Sequence, residues 1–145
     1  MTIDDGIEMR KKFHPLLLEV MKLKRKIKGD KLVVDGDFIE NSPVLIVANH
    51  LTIDDIPTLA EAVEDHFYLL VSDEDEKTLN GKVLSANGVQ WITRTCKESR
   101  IYSKEKAIEY LEKVNFAMYP EATWNLSPNL LMLPMNYGCV VIAKE

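Results

Sequence analysis

The feature that most constrains this chain is a short apolar run that ends in a histidine, within residues 44–55. Branched apolar residues fill most of positions 44–48, a length typical of a buried strand. Asn49 and His50 follow the run directly, and Asp55 stands at the fifth position after His50. Residues 55–64 are predicted to form a helix. Pro57 lies in its first turn, where the backbone N–H that proline lacks would have no partner within the helix. The pattern therefore predicts a strand that ends beside His50 and a helix that begins at Asp55.

A histidine and an aspartate at this spacing can meet across a corner between a strand and a helix. On one continuous helix the two side chains would point about 140° apart, since each residue turns the helix by about 100°. Across a corner, Asp55 can reach back to the imidazole of His50, as an orienting carboxylate does for a general base. Taken alone the pair is a weak indication, because a lone histidine after a strand is more often structural.

The composition is that of a single globular domain. The chain has 145 residues, of which 46% are hydrophobic, so a core of ordinary size is expected. Cys96 and Cys139 form neither a disulfide framework nor a metal-ligand spacing, which favours a reducing, cytoplasmic compartment. No apolar run approaches about 18 residues and no signal-peptide pattern follows Met1, so we expect no membrane-spanning segment.

The net charge of −5 hides a basic segment near the N-terminus. Residues 10–28 hold eight basic residues and one acidic residue, Glu19. Residues 7–28 predict a helix that Pro15 bends or divides and that Gly29 ends as a C′ glycine. Its apolar positions are Ile7, Phe13, Leu16, Leu17, Val20, Met21, Leu23 and Ile27. A basic amphipathic helix beside an acidic domain indicates contact with an anionic membrane surface; packing on its own domain is the alternative.

The rest of the chain alternates predicted strands with predicted helices. Further strands are predicted at residues 31–34, 67–71, 89–93 and 116–119. Further helices are predicted at residues 76–86, at 104–114 with Ser103 as N-cap, and at 136–145 with a start near Pro134. This alternation predicts an α/β fold with a mixed, largely parallel sheet flanked by helices. Residues 1–29 would form the basic helical segment and residues 30–145 the domain.

Polar residues follow three of the predicted strands, and in α/β sheets the crevice beyond the strand ends is the usual ligand site. Together the three stretches resemble the motifs of the glycerol-phosphate acyltransferase family, typified by the bacterial lysophosphatidic acid acyltransferases. The family's N-H-x-x-x-x-D motif matches residues 49–55, and its G-x-x-F-I-x-R motif matches residues 88–94 with Trp91 in the aromatic position. Its F-P-E-G-T motif matches residues 119–123 less closely.

The chain departs from the family pattern at three places. Ala122 stands where the family has glycine, so the alanine is strained if that backbone needs a positive φ. Trp124 stands where many members carry an arginine. The family's fourth motif, an apolar strand with a proline, would come after Glu145, so we expect the chain to be incomplete at its C-terminus.

The resemblance implies transfer of a fatty acyl group from acyl-coenzyme A or acyl carrier protein to the hydroxyl of a lysophospholipid such as 1-acyl-glycerol-3-phosphate. His50 would be the general base and Asp55 its orienting carboxylate. Arg94 would hold the acceptor's phosphate, since a guanidinium offers paired hydrogen bonds. The expected reaction uses no cofactor and no metal, and the expected place of work is the cytoplasmic face of the cell membrane.

The resemblance also implies supporting contacts with the substrate. Glu121 would bind a glycerol hydroxyl, or else fix Arg94 or the loop, because a carboxylate repels a phosphate. Thr123 would add a hydroxyl contact, and Asn49 would contribute to substrate binding. No nucleic-acid partner is indicated. Two rival functions stay open: a non-catalytic lipid-binding remnant, favoured by Ala122 and the missing motif, and a thioesterase in which His50 activates water.

Overall fold

The computed structural model describes residues 3–37 and 43–145. Helices and strands in these residues follow one another in the order α1 (Ile3–Lys28), β1 (Leu45–Val47), α2 (Asp55–Val63), β2 (Phe67–Ser72), α3 (Leu79–Asn87), β3 (Val89–Ile92), α4 (Lys97–Leu111), β4 (Asn115–Met118) and α5 (Gly138–Lys144). A short 3-10 helix, Asp73–Asp75, follows β2. The predicted α/β fold is confirmed.

The four strands form one parallel sheet in the order β1-β4-β2-β3. The last strand in the sequence, β4, therefore lies between β1 and β2. Leu45 on β1 pairs with Phe116 on β4, and Phe67 on β2 pairs with Asn115 on the other side of β4. Because all strands run the same way, the loops that follow them meet at one edge of the sheet. The loops after β1 and β4 are direct neighbours there.

The core lies on both faces of the sheet, and β4 contributes to each. Phe116 and Met118 belong to one buried cluster, and Ala117, between them, belongs to the other. This alternation is the period of two expected of a strand. Helix α1 contributes Ile7 to the first cluster and Leu18 to the second. The N-terminal helix therefore packs on the same core as the sheet.

Helix α1 runs without interruption through Pro15, so the expected division of the helix at this residue is wrong. Pro15 lies on the exposed side, where water can satisfy the carbonyl that loses its hydrogen bond. Gly29, with φ +79°, ends the helix as predicted. An apolar stripe faces away from the core, at positions spaced alternately by four and three residues: Met9, Phe13, Leu16, Val20, Leu23 and Ile27.

Residues 31–34 do not form the predicted strand. Val33 is 84% exposed and Val34 is exposed as well, so these two side chains are not packed into the part of the chain that the structure describes. A strand needs a partner for its backbone hydrogen bonds, and a run of apolar residues does not supply one. The prediction from composition therefore failed at this segment.

Three helices begin at residues that differ from the predicted ones. Helix α4 begins at Lys97 after Cys96, and Ser103 is not its N-cap but a buried residue within it. The Ser103 hydroxyl donates to the Trp91 carbonyl oxygen at 3.0 Å, a tertiary bond that satisfies a serine inside a helix. Helix α3 begins at Leu79, with Thr78 as its N-cap. The last helix begins at Gly138 rather than near Pro134.

We expect the fold to lose stability in mild acid because of His66, which is 3% exposed. Burial lowers the pKa of His66 to about 4; its Nε2–H donates to the Asn87 carbonyl, and Nδ1 has no partner among the described residues. The His66 ring binds a proton near pH 6.5 in the unfolded chain but only near pH 4 in the folded chain. The free energy of unfolding therefore decreases as the pH is lowered from about 6.5 to about 4. Urea unfolding should show a loss of about 2 kcal/mol between pH 7.5 and pH 5 from this group.

The matched variant is His66→Phe, which keeps a ring in the core and removes the titrating group. Its loss of stability between the two pH values should be smaller than that of the parent chain. An equal loss in both chains would show that another group is responsible.

Candidate active site

The corner between β1 and α2 brings His50 and Asp55 together. His50 follows the strand after two residues, and Asp55 is the first residue of α2. The Nδ1–H of His50 donates to Asp55 Oδ2 at 2.9 Å. Both side chains are largely buried, with 17% and 22% of their surface exposed. A helix that begins immediately after a short turn thus turns its first carboxylate back toward the imidazole.

Asp55 accepts hydrogen bonds from backbone N–H groups as well as from the His50 ring. Its Oδ2 also accepts from the backbone N–H of Leu51 at 2.5 Å and of Thr52 at 2.8 Å. Burial alone would raise the pKa of Asp55, but the bonds from the Thr52 backbone, the His50 ring and the Leu51 backbone outweigh it, and the pKa is lowered. The carboxylate therefore stays ionised and keeps the proton of His50 on Nδ1. The lone pair of the ring is then on Nε2.

Two aromatic rings border the imidazole of His50. Tyr119, directly after β4, stacks on it with the ring centroids 4.3 Å apart. Burial, with a contribution from the charge of Asp55, raises the pKa of Tyr119, so its phenol is neutral. The indole N–H of Trp124 donates to His50 Nε2 at 2.9 Å. The nitrogen that would act as the base is therefore occupied by Trp124.

Glu121 ties the neighbouring loops to each other. It is 5% exposed; its Oε1 accepts from the backbone N–H of His50 at 3.1 Å, and its Oε2 accepts from that of Leu133 at 3.0 Å. These bonds connect the loop after β1 with the chain that follows β4. Among the roles considered from the sequence, this geometry corresponds to fixing the loop. Within the described residues, the side-chain hydrogen bonds of Glu121 go to His50 and Leu133 and not to Arg94.

The loop that follows Glu121 has a strained backbone and a contact with Arg94. Ala122 has φ +56°, in the left-handed region where an alanine costs roughly 1–2 kcal/mol. Arg94 Nη1 donates to the carbonyl oxygen of this residue. Arg94 Nη2 lies 3.3 Å from Glu74 Oε1, and the arginine side chain is 42% exposed. These two contacts use two of the five N–H donors of the guanidinium, so the others can bind a phosphate.

The other two predicted site residues lie in the same loops. Asn49 precedes His50 and Thr123 precedes Trp124, and both are exposed. In the described part of the chain, neither side chain makes a hydrogen bond, so both are available to a ligand. Their contact with a substrate stays a prediction.

The contact between Trp124 and His50 was missed from the sequence, where Trp124 was noted only as a departure from the motif. The two residues are 74 positions apart. They meet because β4 pairs with β1 and because Asn125, next to Trp124, donates its backbone N–H to the His50 carbonyl oxygen at 2.6 Å. No local pattern predicts such a contact.

A parallel α/β sheet with a histidine and its carboxylate at the carboxyl edge defines a class of domain suited to general-base chemistry. The model of the Acyltransferase family matches residues 25–145. The chain belongs to the Acyltransferase family, as its three motifs predicted.

A solved structure has the same fold. The crystal structure of PlsC, the 1-acyl-sn-glycerophosphate (LPA) acyltransferase from Thermotoga maritima, superposes with a TM-score of 0.70 at 21% sequence identity. The match covers 92% of this chain and 54% of that protein, so the chain spans about half the length of PlsC. No curated protein matches the sequence. Among the helices that the structure describes, none has the length and hydropathy needed to cross a membrane.

Proposed function

We propose that this chain transfers a fatty acyl group from an acyl thioester to the hydroxyl of a lysophospholipid such as 1-acyl-glycerol-3-phosphate, in phospholipid biosynthesis. Its membership of the Acyltransferase family supports this proposal. The observation that carries it is the hydrogen bond of Asp55 to His50 Nδ1, because this bond leaves the lone pair on Nε2. An imidazole that carries its lone pair on Nε2 can take the proton of an alcohol nucleophile at this atom.

In the proposed reaction the acceptor's hydroxyl gives its proton to His50 Nε2 as its oxygen attacks the thioester carbonyl. A C–O bond forms and the C–S bond breaks. The leaving thiolate then takes the proton from the imidazolium, so the products are an ester and a free thiol. Asp55 stabilises the imidazolium while it exists. General-base help of this kind contributes roughly 10²–10⁴-fold to a rate, and the proposal includes neither a metal nor a cofactor.

Thiol release from acyl-coenzyme A, measured with and without lysophosphatidic acid, tests this function. Release that depends on the acceptor supports acyl transfer. Equal release in both conditions, with free fatty acid as product, would favour the thioesterase. Binding to lysophospholipid vesicles without release from acyl-coenzyme A or from acyl carrier protein would favour the lipid-binding remnant.

Arg94 is the residue that we assign to the acceptor's phosphate. Replacing it with alanine should raise the acceptor's KM about 10- to 100-fold with a smaller effect on kcat, because a charged hydrogen bond contributes roughly 1.5–3 kcal/mol. Steady-state kinetics with varied lysophosphatidic acid measures this. Glu74→Gln is the matched control: it removes the carboxylate that competes for the guanidinium, so KM should not rise. An unchanged KM in Arg94→Ala would remove Arg94 from the phosphate site.

We also propose that helix α1 contacts an anionic membrane surface at the cytoplasmic face of the cell membrane. Its apolar stripe, defined above, is exposed. Lys12, Lys24 and Lys26 flank the stripe and are exposed as well. Apolar residues bordered by cations suit the boundary between acyl chains and anionic headgroups. This placement would bring the acceptor, a membrane lipid, within reach of the site.

A further inference from the structure

The base nitrogen of the candidate site already has a hydrogen-bond partner. Trp124 Nε1–H points at His50 Nε2, 2.9 Å away, with the two rings edge to face. The lone pair of an imidazole nitrogen accepts one good hydrogen bond. A hydroxyl cannot give its proton to Nε2 until the indole has moved, so any reaction at this nitrogen begins with the displacement of Trp124.

We propose that Trp124 is a specificity-determining residue that reserves His50 for the acceptor's hydroxyl and withholds it from water. This rests on the proposed function. The competing reaction is hydrolysis: a water gives its proton to Nε2, its oxygen attacks the thioester carbonyl, and a thiol and a free fatty acid leave. The same base serves both reactions, so what occupies Nε2 decides between them.

The acceptor and water differ in how well they can displace the indole. A lysophospholipid is also bound elsewhere, through its phosphate and its acyl chain, and can use that binding energy to move a side chain near the reacting atoms. A water molecule has no second attachment. It must compete for Nε2 with a hydrogen bond that the fold already provides. The occupied nitrogen therefore disfavours hydrolysis more than transfer.

The surroundings of Trp124 allow its side chain to move while its backbone stays in place. Asn125 is buried; it donates its N–H to the His50 carbonyl oxygen at 2.6 Å and its side-chain amide to Leu130 O at 2.8 Å. Trp124 itself is 47% exposed. An exposed side chain on a fixed backbone can change rotamer in picoseconds to nanoseconds.

Arg94 connects the acceptor to this loop. Its guanidinium holds the carbonyl oxygen of Ala122, two residues before Trp124. A phosphate bound to the remaining N–H donors of this guanidinium would lie beside the loop that carries the indole, and so would attach the acceptor close to the side chain that has to move. Water has no such attachment, so Arg94 favours the acceptor over water.

Trp124→Phe tests the proposal, because it keeps an aromatic ring and removes the N–H. Thiol release without acceptor should rise about 5- to 10-fold, the value of one hydrogen bond, while acceptor-dependent transfer is retained. Leu126→Ala, an exposed apolar residue of the same loop, is the matched control and should leave the ratio of hydrolysis to transfer unchanged. Lower transfer with unchanged hydrolysis in Trp124→Phe would overturn the proposal, since Trp124 would then only position His50.

A second measurement needs no enzymatic activity. Diethyl pyrocarbonate modifies a histidine through the lone pair of its unprotonated ring, and mass spectrometry locates the modified residue. His50 should react about 5- to 10-fold faster in Trp124→Phe than in the parent chain, whereas His14 and His66, which are buried, serve as internal references. Unchanged reactivity of His50 would overturn the proposal even if the chain is an acyltransferase. Faster reaction together with no thiol release from any variant would reject the proposed function, and with it a role of Trp124 in choosing between acceptor and water.

Discussion

Replacing His50 with alanine should abolish acceptor-dependent thiol release, with a loss of at least about 10²–10⁴-fold. His50 Nε2 is the atom that takes the proton of the acceptor's hydroxyl, and the lone pair there depends on the bond of Nδ1 to Asp55. An alcohol that keeps its proton is a poor nucleophile toward a thioester, so no other residue described in the site replaces this function. The rate is measured as free thiol released from acyl-coenzyme A at saturating acceptor.

The fold should survive this change. The His50 ring lies at the sheet edge between Tyr119 and Trp124, outside both buried clusters. The bonds of its backbone to Glu121 and Asn125 do not involve the ring. Urea unfolding and circular dichroism should therefore be close to those of the parent chain, and His50→Gln should be equally inactive. Parent-like turnover by folded His50→Ala would falsify the mechanism.

Replacing Asp55 with asparagine should lower kcat by about 10³–10⁴-fold, through the tautomer of the histidine. The carboxylate accepts from His50 Nδ1, from Leu51 and from Thr52. All three bonds go to Oδ2, whereas Oδ1 accepts from the Thr52 hydroxyl at 3.3 Å. An amide has one oxygen, so its NH₂ group takes either the place of Oδ1, which leaves the pair without the negative charge that stabilises the imidazolium, or the place of Oδ2, where it faces Nδ1. If it faces Nδ1, the ring proton moves to Nε2 and the lone pair needed for the reaction is lost.

The neighbouring aspartate offers a matched control for this prediction. Asp54 is one residue away, has the same side chain, and forms an exposed pair with Lys28 at 2.8 Å. Exposed pairs of this kind contribute little to stability because water screens them, so Asp54→Asn should leave kcat and unfolding nearly unchanged. Nitrogen chemical shifts of the His50 ring, measured by NMR, report the tautomer in each variant. Equal loss of activity in both variants would contradict the role assigned to Asp55, whereas a parent-like tautomer in inactive Asp55→Asn would assign the loss to the missing negative charge rather than to the tautomer.

Several features of the fold could be predicted because they depend on short stretches of sequence. The α/β class, the strands β1 to β4 and the end of α1 at Gly29 follow from apolar runs, from their alternation with helices and from one glycine with a positive φ. Where the local pattern competed with tertiary contacts, prediction failed. Ser103 resembles an N-cap but is buried against the Trp91 carbonyl. Residues 31–34 resemble a strand but pair with none of the strands in the described residues.

The sequence by itself determined that His50 and Asp55 can form a pair. They are five positions apart across the corner between β1 and α2, and this local geometry brings the two side chains within reach of each other. Only the tertiary structure decided what surrounds this pair. Glu121 and Trp124 lie 71 and 74 positions from His50, and they reach it because β4 is inserted between β1 and β2. Strand order depends on how the two faces of the sheet are best covered by helices, a property of the whole chain that no single motif contains.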